Sequence, residues 1–182
     1  MNIADAQREV RTHFDGGFYG QLVSGVLWLV SAAVARWGTP RTAIILLVAG
    51  GFFIYPITEL LIRAARRPQI GRDNPLPQLG MQVAFVLPFS MPLLLPVGLF
   101  RLNWFYPALM ILLGAHYLPF VFLYGMRMFA VLAAVLLGGG MIVAMYLSGS
   151  FGVGAWFTGA VLLVFAVVGR ALVRWEAGRP RV

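Results

Sequence analysis

The sequence predicts an all-α, polytopic membrane protein with six transmembrane helices in one compact bundle, and three observations support this. Of the 182 residues, 60% are hydrophobic and only 11% are charged, a composition too apolar for a soluble domain of this size. The apolar residues form long runs rather than alternations, which favours spanning helices over an outer-membrane barrel. The arginines lie between these runs. No separate soluble domain is therefore expected within residues 1–182.

Six apolar segments are long enough to cross a bilayer core of about 30 Å, which takes about 20 helical residues. They lie at about residues 17–35, 43–62, 79–100, 102–124, 128–147 and 153–172. Residues 1–15 precede them and carry apolar side chains at helical spacing: Ile3, Ala6, Val10 and Phe14. This spacing favours a short amphipathic helix in the headgroup layer, and a frayed tail is the alternative. Residues 22–35 have the form of a signal peptide, but the acidic residues before them favour an uncleaved first helix.

Polar side chains in the first two spans are candidates for intramembrane contacts. Gln21 and Ser24 lie on one face of the first span, where Gly20 and Ser24 form a small-xxx-small pair. Such a pair favours close helix packing, and a polar pathway is the alternative. Glu59 lies near the end of the second span, four residues before Arg63. This orientation favours an interfacial ion pair over a buried functional carboxylate.

One long polar connection, residues 63–78, follows the second span. Its arginines are Arg63, Arg66, Arg67 and Arg72. The cluster favours a topology signal, and a lipid-phosphate contact by Arg63, Arg66 and Arg67 is the alternative. The net charge of +8 comes from arginines that flank apolar segments, so anionic headgroups explain it more simply than nucleic acid.

The third span contains Pro88, Pro92 and Pro96 at spacings of four residues. Each proline leaves the carbonyl four residues earlier without its helical donor. Because lipid cannot hydrogen-bond a free carbonyl, we expect this helix to be kinked or broken and buried among other helices. A kinked packing helix is one interpretation, and contact with an ion, water or substrate is the other. Gln82 lies near the start of the span.

The last three spans contribute a histidine and several small residues. His116 lies near the middle of the fourth span, where it could relay protons or donate a hydrogen bond to a neighbouring helix. Gly138–Gly140 in the fifth span and the Ala155–Gly159 pair in the sixth indicate close backbone packing. The candidate polar pathway comprises Gln21, Ser24, Glu59, Gln82, Pro88, Pro92 and His116.

The distribution of arginines predicts the orientation of the chain. With six spans, eleven arginines share the side of both termini: Arg8, Arg11, Arg63, Arg66, Arg67, Arg72, Arg127, Arg170, Arg174, Arg179 and Arg181. The opposite side carries Arg36, Arg41 and Arg101. The positive-inside rule therefore places both termini in the cytoplasm.

The residues that catalysis or metal binding would need are scarce. The chain has no cysteine and two histidines, and it lacks the G-x-S-x-G, H-E-x-x-H, Walker and dinucleotide motifs. Five of the six acidic residues lie outside the predicted spans. We therefore expect no enzymatic activity, no metal site and no cofactor.

The first third of the chain resembles a family of small bacterial multispanning proteins of unknown function. The resemblance rests on a short polar N-terminal helix, the run GGFYGQLVSGVLWLVSAA, and a second span that ends in a Gly-Gly…Tyr-Pro element. It implies a multi-pass protein of the bacterial inner (plasma) membrane and carries no information on mechanism.

Transport of a small solute or ion, with possible coupling to protons, is the function that the sequence favours. The polar face of the first span and the stacked prolines are features that helices serving only to pack against one another would not need. A non-catalytic lipid-binding, scaffold or accessory subunit is the alternative. The expected partners are membrane lipids, with anionic headgroups on the cytoplasmic side. Because six short spans enclose little volume, a homodimer with a site near its interface is a further expectation.

Overall fold

The computed structural model describes residues 1–147 and 149–178, which fold into helices and turns without a strand. Within these ranges nine α-helices follow one another: α1 (Ile3–His13), α2 (Phe18–Trp37), α3 (Pro40–Gly51), α4 (Ile54–Ala64), α5 (Leu76–Ser90), α6 (Leu94–Phe100), α7 (Phe105–Tyr124), α8 (Met128–Tyr146) and α9 (Val153–Ala177). Short 3-10 turns occupy Asp15–Gly17, Met91–Leu93 and Leu102–Trp104. Ser148 of the predicted turn after the fifth span, and Arg179 and Arg181 of the predicted tail, lie outside the described residues.

The prediction of an all-α protein with multiple spans is confirmed. Five helical stretches of the described chain are long and apolar enough to cross a membrane, and a bent helix pair brings the number to six. The two ends of the described chain meet, because Arg11 Nε lies 2.7 Å from Glu176 Oε2. We call this end of the bundle the basal end; it is formed by α1, residues 65–75 and the last turns of α7 and α9.

The sharpest bend lies in the second span, between α3 and α4, whose axes differ by 52°. Pro56 has no N–H to continue the helix from α3, so α4 restarts at Ile54 with Pro56 in its first turn, where proline is tolerated. Phe52 and Phe53 close the break with turn hydrogen bonds to the carbonyls of Ala49 and Gly50.

The third span is broken as predicted, because the 3-10 turn around Pro92 separates α5 from α6. The expectation that it is buried among other helices is wrong for this chain: only 11% of its most apolar window is buried, and Pro88 and Pro92 are exposed. The reason is local. The Pro88 carbonyl, which Pro92 deprives of its α-helical donor, accepts from the Met91 N–H, so it needs no neighbouring helix.

The packed core is formed by α2, α7, α8 and α9. Its largest fully buried side chains include Tyr106, Met110, Phe129, Leu132, Leu136 and Leu162. Backbones approach closely at small residues: a Cβ added to Gly25 of α2 would lie 3.1 Å from the Gly159 carbonyl oxygen of α9. Gly20 faces Thr58 of α4, so the predicted Gly20–Ser24 pair does lie at a helix contact. Close packing at small residues is the usual way in which membrane helices associate.

Candidate functional site

Helix α1 lies across the basal end of the bundle and contacts several elements there. The Asn2 side chain caps it by accepting from the Asp5 N–H at 2.9 Å. The Gln7 amide donates to the Phe122 carbonyl at 2.5 Å, and Asn74 donates to the Ala6 carbonyl at 3.0 Å. Of its predicted apolar stripe, Ala6 and Val10 are buried. α1 therefore packs on the protein with this face.

The connection between α4 and α5 is held against α1 by further polar contacts of Glu9 and His13. Glu9 Oε2 accepts from the Gly71 N–H at 3.2 Å and from the Asn74 amide at 3.0 Å. His13 Nδ1 lies 2.6 Å from the Pro68 carbonyl oxygen. Asn74 also caps α5, because its Oδ1 accepts from the Leu76 N–H. These contacts shape one wall of a cleft.

This basal cleft has a volume of about 820 Å³ and lies between α1, α4 and the connection. It is lined by His13, Phe14, Tyr55, Glu59, Ile62, Arg63, Arg66, Arg67, Gln69, Ile70, Gly71, Arg72, Asn74 and Pro77. Four of these side chains are arginines and one is a carboxylate. The cleft therefore combines a strongly basic lining with a single acidic group.

Three of the four arginines have no partner in the described part of the chain. The guanidinium groups of Arg63, Arg66 and Arg72 are exposed and make no hydrogen bond or ion pair with the described residues. The predicted Glu59–Arg63 ion pair is not formed among these residues. Glu59 is half-buried and faces the Tyr55 hydroxyl.

Arg67 is held differently, by a buried carboxylate. Its Nη2 lies 3.1 Å from Asp15 Oδ1, and it also donates to the Thr12 carbonyl. Arg170 Nε lies 3.3 Å from the other Asp15 oxygen, and the Arg170 guanidinium stacks 4.4 Å above the Phe18 ring. Arg67 lines the cleft, yet it is paired with Asp15, whose charge it shares with Arg170. The lipid-phosphate set predicted from the sequence therefore contains two unpaired members, Arg63 and Arg66, and one paired member.

Asp15 is the residue that the sequence analysis missed, because it was counted among the acids outside the spans. It is 1% exposed, and with Gly16 and Gly17 it forms three successive residues with positive φ. This backbone path lets Gly16 contact α9: a Cβ there would lie 2.4 Å from the Gly169 carbonyl oxygen. The Asp-Gly-Gly run is the signal that could have identified the site, since these residue types tolerate positive φ best.

The predicted polar pathway is not assembled into one path. Gln21 and Ser24 are buried on α2, whereas Gln82 is exposed on α5, as are the two pathway prolines. His116 of α7 contacts the backbone of Val83 on α5. No hydrogen bond or ion pair within residues 1–147 and 149–178 joins it to Glu59, which lies on the basal cleft. These residues therefore belong to separate environments.

The core does contain polar atoms without partners. Both amide atoms of Gln21 and the hydroxyl oxygens of Thr58 and Thr158 are buried and lack a hydrogen bond to the described chain. By contrast, Ser31 is satisfied: it donates to the Ala43 carbonyl at 2.9 Å and lies 2.6 Å from the Tyr106 hydroxyl. Unpaired buried groups call for an explanation such as bound water or a ligand.

Within the described ranges, no group of three or more His, Cys, Asp or Glu side chains is placed so that it could hold a metal ion.

The fold and its apolar helices define a multispanning helical membrane protein. A sequence profile of DUF7010, a family of unknown function, matches residues 3–171, and the chain belongs to this family. The predicted membership in a family of unknown function is thereby confirmed. Neither the curated proteins nor the solved structures gave a match.

Proposed function

We propose that this protein is a non-catalytic, multi-pass protein of the bacterial inner membrane that binds the phosphate of a lipid headgroup in its basal cleft. The observation that supports this most directly is a set of three guanidinium groups around one cleft, Arg63, Arg66 and Arg72, which form no ion pair with the described part of the chain. A guanidinium presents a fork of N–H donors that matches phosphate oxygens. With Arg67 paired with Asp15, the cleft retains more positive than negative charge.

The surroundings of the cleft favour a lipid over a soluble phosphate. Helix α4, which carries Glu59 and Arg63 to the cleft, also exposes Ile57 and Leu60, one to two turns before Arg63. An acyl chain can lie along this apolar face while its phosphate reaches the arginines. Exposed apolar side chains that continue into a basic site are the arrangement expected where a protein meets an acidic membrane surface.

The proposed orientation places the basal end in the cytoplasm. The excess of arginines on this end supports it, because basic residues are retained on the cytoplasmic side.

The test is lipid binding by native mass spectrometry and in nanodiscs. We expect the purified protein to retain dioleoyl-phosphatidylglycerol, and we expect Arg63→Gln/Arg66→Gln to weaken this binding about tenfold or more, since charged hydrogen bonds contribute about 1.5–3 kcal/mol each. Arg36→Gln/Arg41→Gln, at the opposite end of the bundle, is the matched control. Equal affinity of both double variants would contradict the proposal. Competition with inorganic phosphate distinguishes the binding of a lipid from the binding of a soluble anion.

Transport of a small solute or ion, coupled to protons, is a second candidate. The unpaired Gln21 amide supports it, since a polar group buried within a span marks solute, ion or proton pathways. Proteoliposomes containing a pH-sensitive dye test this candidate. Proton flux that is present in the native protein, lost in Gln21→Leu and kept in the exposed control Gln82→Leu would support it, and no flux above empty liposomes would exclude it.

A further inference from the structure

We infer that the lipid held in the basal cleft carries a primary ammonium beside its phosphate, as a phosphoethanolamine headgroup does. This inference rests on the proposed function and names the ligand class of the same site. It comes from Glu59, the one acidic side chain that the described residues contribute to the cleft lining, which headgroup phosphate does not explain.

Among the described residues Glu59 has no ionic partner, although the cleft offers four arginines. No ion pair of the described residues includes it, although Arg63 follows it by one helical turn. Its neighbour Tyr55 faces it with a hydroxyl. A half-buried carboxylate that repels phosphate would be a disadvantage in a site built for an anion alone, because like charges oppose binding. An ammonium group on the ligand removes this conflict.

The chemistry of the common headgroups distinguishes the candidates. A primary ammonium donates up to three hydrogen bonds to carboxylate oxygens, which makes a strong charge-assisted contact. A trimethylammonium has no N–H donor and is usually bound within a cage of aromatic rings. The cleft's aromatic side chains are His13, Phe14 and Tyr55, and His13 already contacts the Pro68 carbonyl. A glycerol headgroup supplies hydroxyls but no positive charge.

Both signs of charge in the cleft fit the same ligand. The phosphate would lie against Arg63 and Arg66, and the ammonium would lie against Glu59. Tyr55 and Glu59 lie one turn apart on α4, so the hydroxyl can hold the carboxylate oxygen that the ammonium does not use. The cleft therefore offers an oppositely charged side chain to each charge of a zwitterionic headgroup.

The experiment compares three lipids with identical dioleoyl chains: phosphatidylethanolamine, phosphatidylcholine and phosphatidylglycerol. Binding to the full chain is measured by native mass spectrometry and by titration in detergent. We expect the ethanolamine lipid to bind about tenfold tighter than the choline lipid, the effect of one charge-assisted contact. Glu59→Gln should abolish this preference and leave phosphatidylglycerol binding unchanged or stronger. Asp73→Asn, an exposed carboxylate of the same connection, should keep the preference.

Each outcome separates this inference from the proposed function. If the native protein binds all three lipids equally, or if Glu59→Gln keeps the ethanolamine preference, the inference is overturned while phosphate binding stands. If no lipid binds above the level of Arg63→Gln/Arg66→Gln, both fail. Glu59→Asp, which keeps the charge, should keep part of the preference and so shows that a loss in Glu59→Gln is not a folding defect. Thermal unfolding of every variant is measured alongside.

Discussion

Two regions of this protein are equally apolar and yet differ in burial. The core helices α2, α7, α8 and α9 have between 33% and 44% of their most apolar windows buried, whereas the span formed by α5 and α6 has 11%. In a membrane, apolar side chains gain little by leaving lipid for protein, because acyl chains are as apolar as leucine. Apolarity therefore identifies a span without showing whether other helices surround it.

Small residues distinguish the two regions better than apolar ones. In the core, a Cβ added to Gly16 would lie 2.4 Å from the Gly169 carbonyl oxygen, and one added to Gly25 would lie 3.1 Å from the Gly159 carbonyl oxygen, which is tighter than most real Cβ contacts. In the peripheral span, Gly80 has no neighbour within 4 Å of its Cβ direction. Close backbone approach supplies dispersion and polar contacts that lipid cannot match. The comparison predicts that substitutions in the core cost stability and that similar substitutions in α5 and α6 do not.

The largest effect is expected at Asp15, which ties the start of α2 to the basal connection and to α9. Asp15→Asn removes the negative charge between Arg67 and Arg170 and leaves both guanidinium groups without compensation. Loss of one partner of a buried pair costs about 3–5 kcal/mol, and we expect about 3 because both arginines are partly exposed. This cost is measured as the change in the free energy of unfolding in mixed micelles. Asp73→Asn, in an exposed loop, is the control, and equal losses in both variants would contradict the role of Asp15.

The next effect is expected at Gly169. In Gly169→Ala the new Cβ would lie 2.4 Å from the Gly16 carbonyl oxygen, so one backbone must move. Overpacking of this kind costs about 1–3 kcal/mol, and we expect about 2. Gly80→Ala makes the same change where nothing lies within 4 Å, and its higher helix propensity should leave stability unchanged or improved. A stable Gly169→Ala variant would show that the contact between the Asp15–Gly17 turn and α9 can widen without cost.

Asp15 and the prolines of the third span also show how much could be predicted from the sequence. The spans follow from composition, and the arginine cluster of the basal cleft follows from residues 63–78. The burial of Asp15 did not follow, because it depends on Arg67 and Arg170, which are distant in sequence and meet only in the folded chain. The burial expected of Pro88 and Pro92 was wrong because a 3-10 turn supplies a donor within the segment. Local sequence thus predicts helices better than it predicts which of them meet.

A smaller loss is expected from Tyr106→Phe, within the core but without a change in packing volume. The Ser31 hydrogen is donated to the Ala43 carbonyl, so Tyr106 is the donor in the 2.6 Å contact between the two hydroxyls. Removing the Tyr106 hydroxyl leaves the buried Ser31 oxygen without this donor and should lower the free energy of unfolding by about 1 kcal/mol. Tyr146→Phe, on an exposed tyrosine of α8, should change nothing measurable. In a double-mutant cycle with Ser31→Ala, the coupling energy between the two residues should account for most of the loss caused by Tyr106→Phe.

The smallest effect is expected in the peripheral span, at Phe89. Phe89 is 78% exposed, and its ring stacks on Phe85, one helical turn earlier, at a centroid distance of 5.7 Å. Phe89→Ala should therefore shift the free energy of unfolding by less than about 0.5 kcal/mol, well below the shift for Tyr106→Phe. The measurement is repeated over a tenfold range of protein-to-detergent ratio, because a second copy on this face would make the loss larger at high ratio. A loss that grows in this way would break the comparison: the span would then be peripheral in the single chain and buried in a dimer.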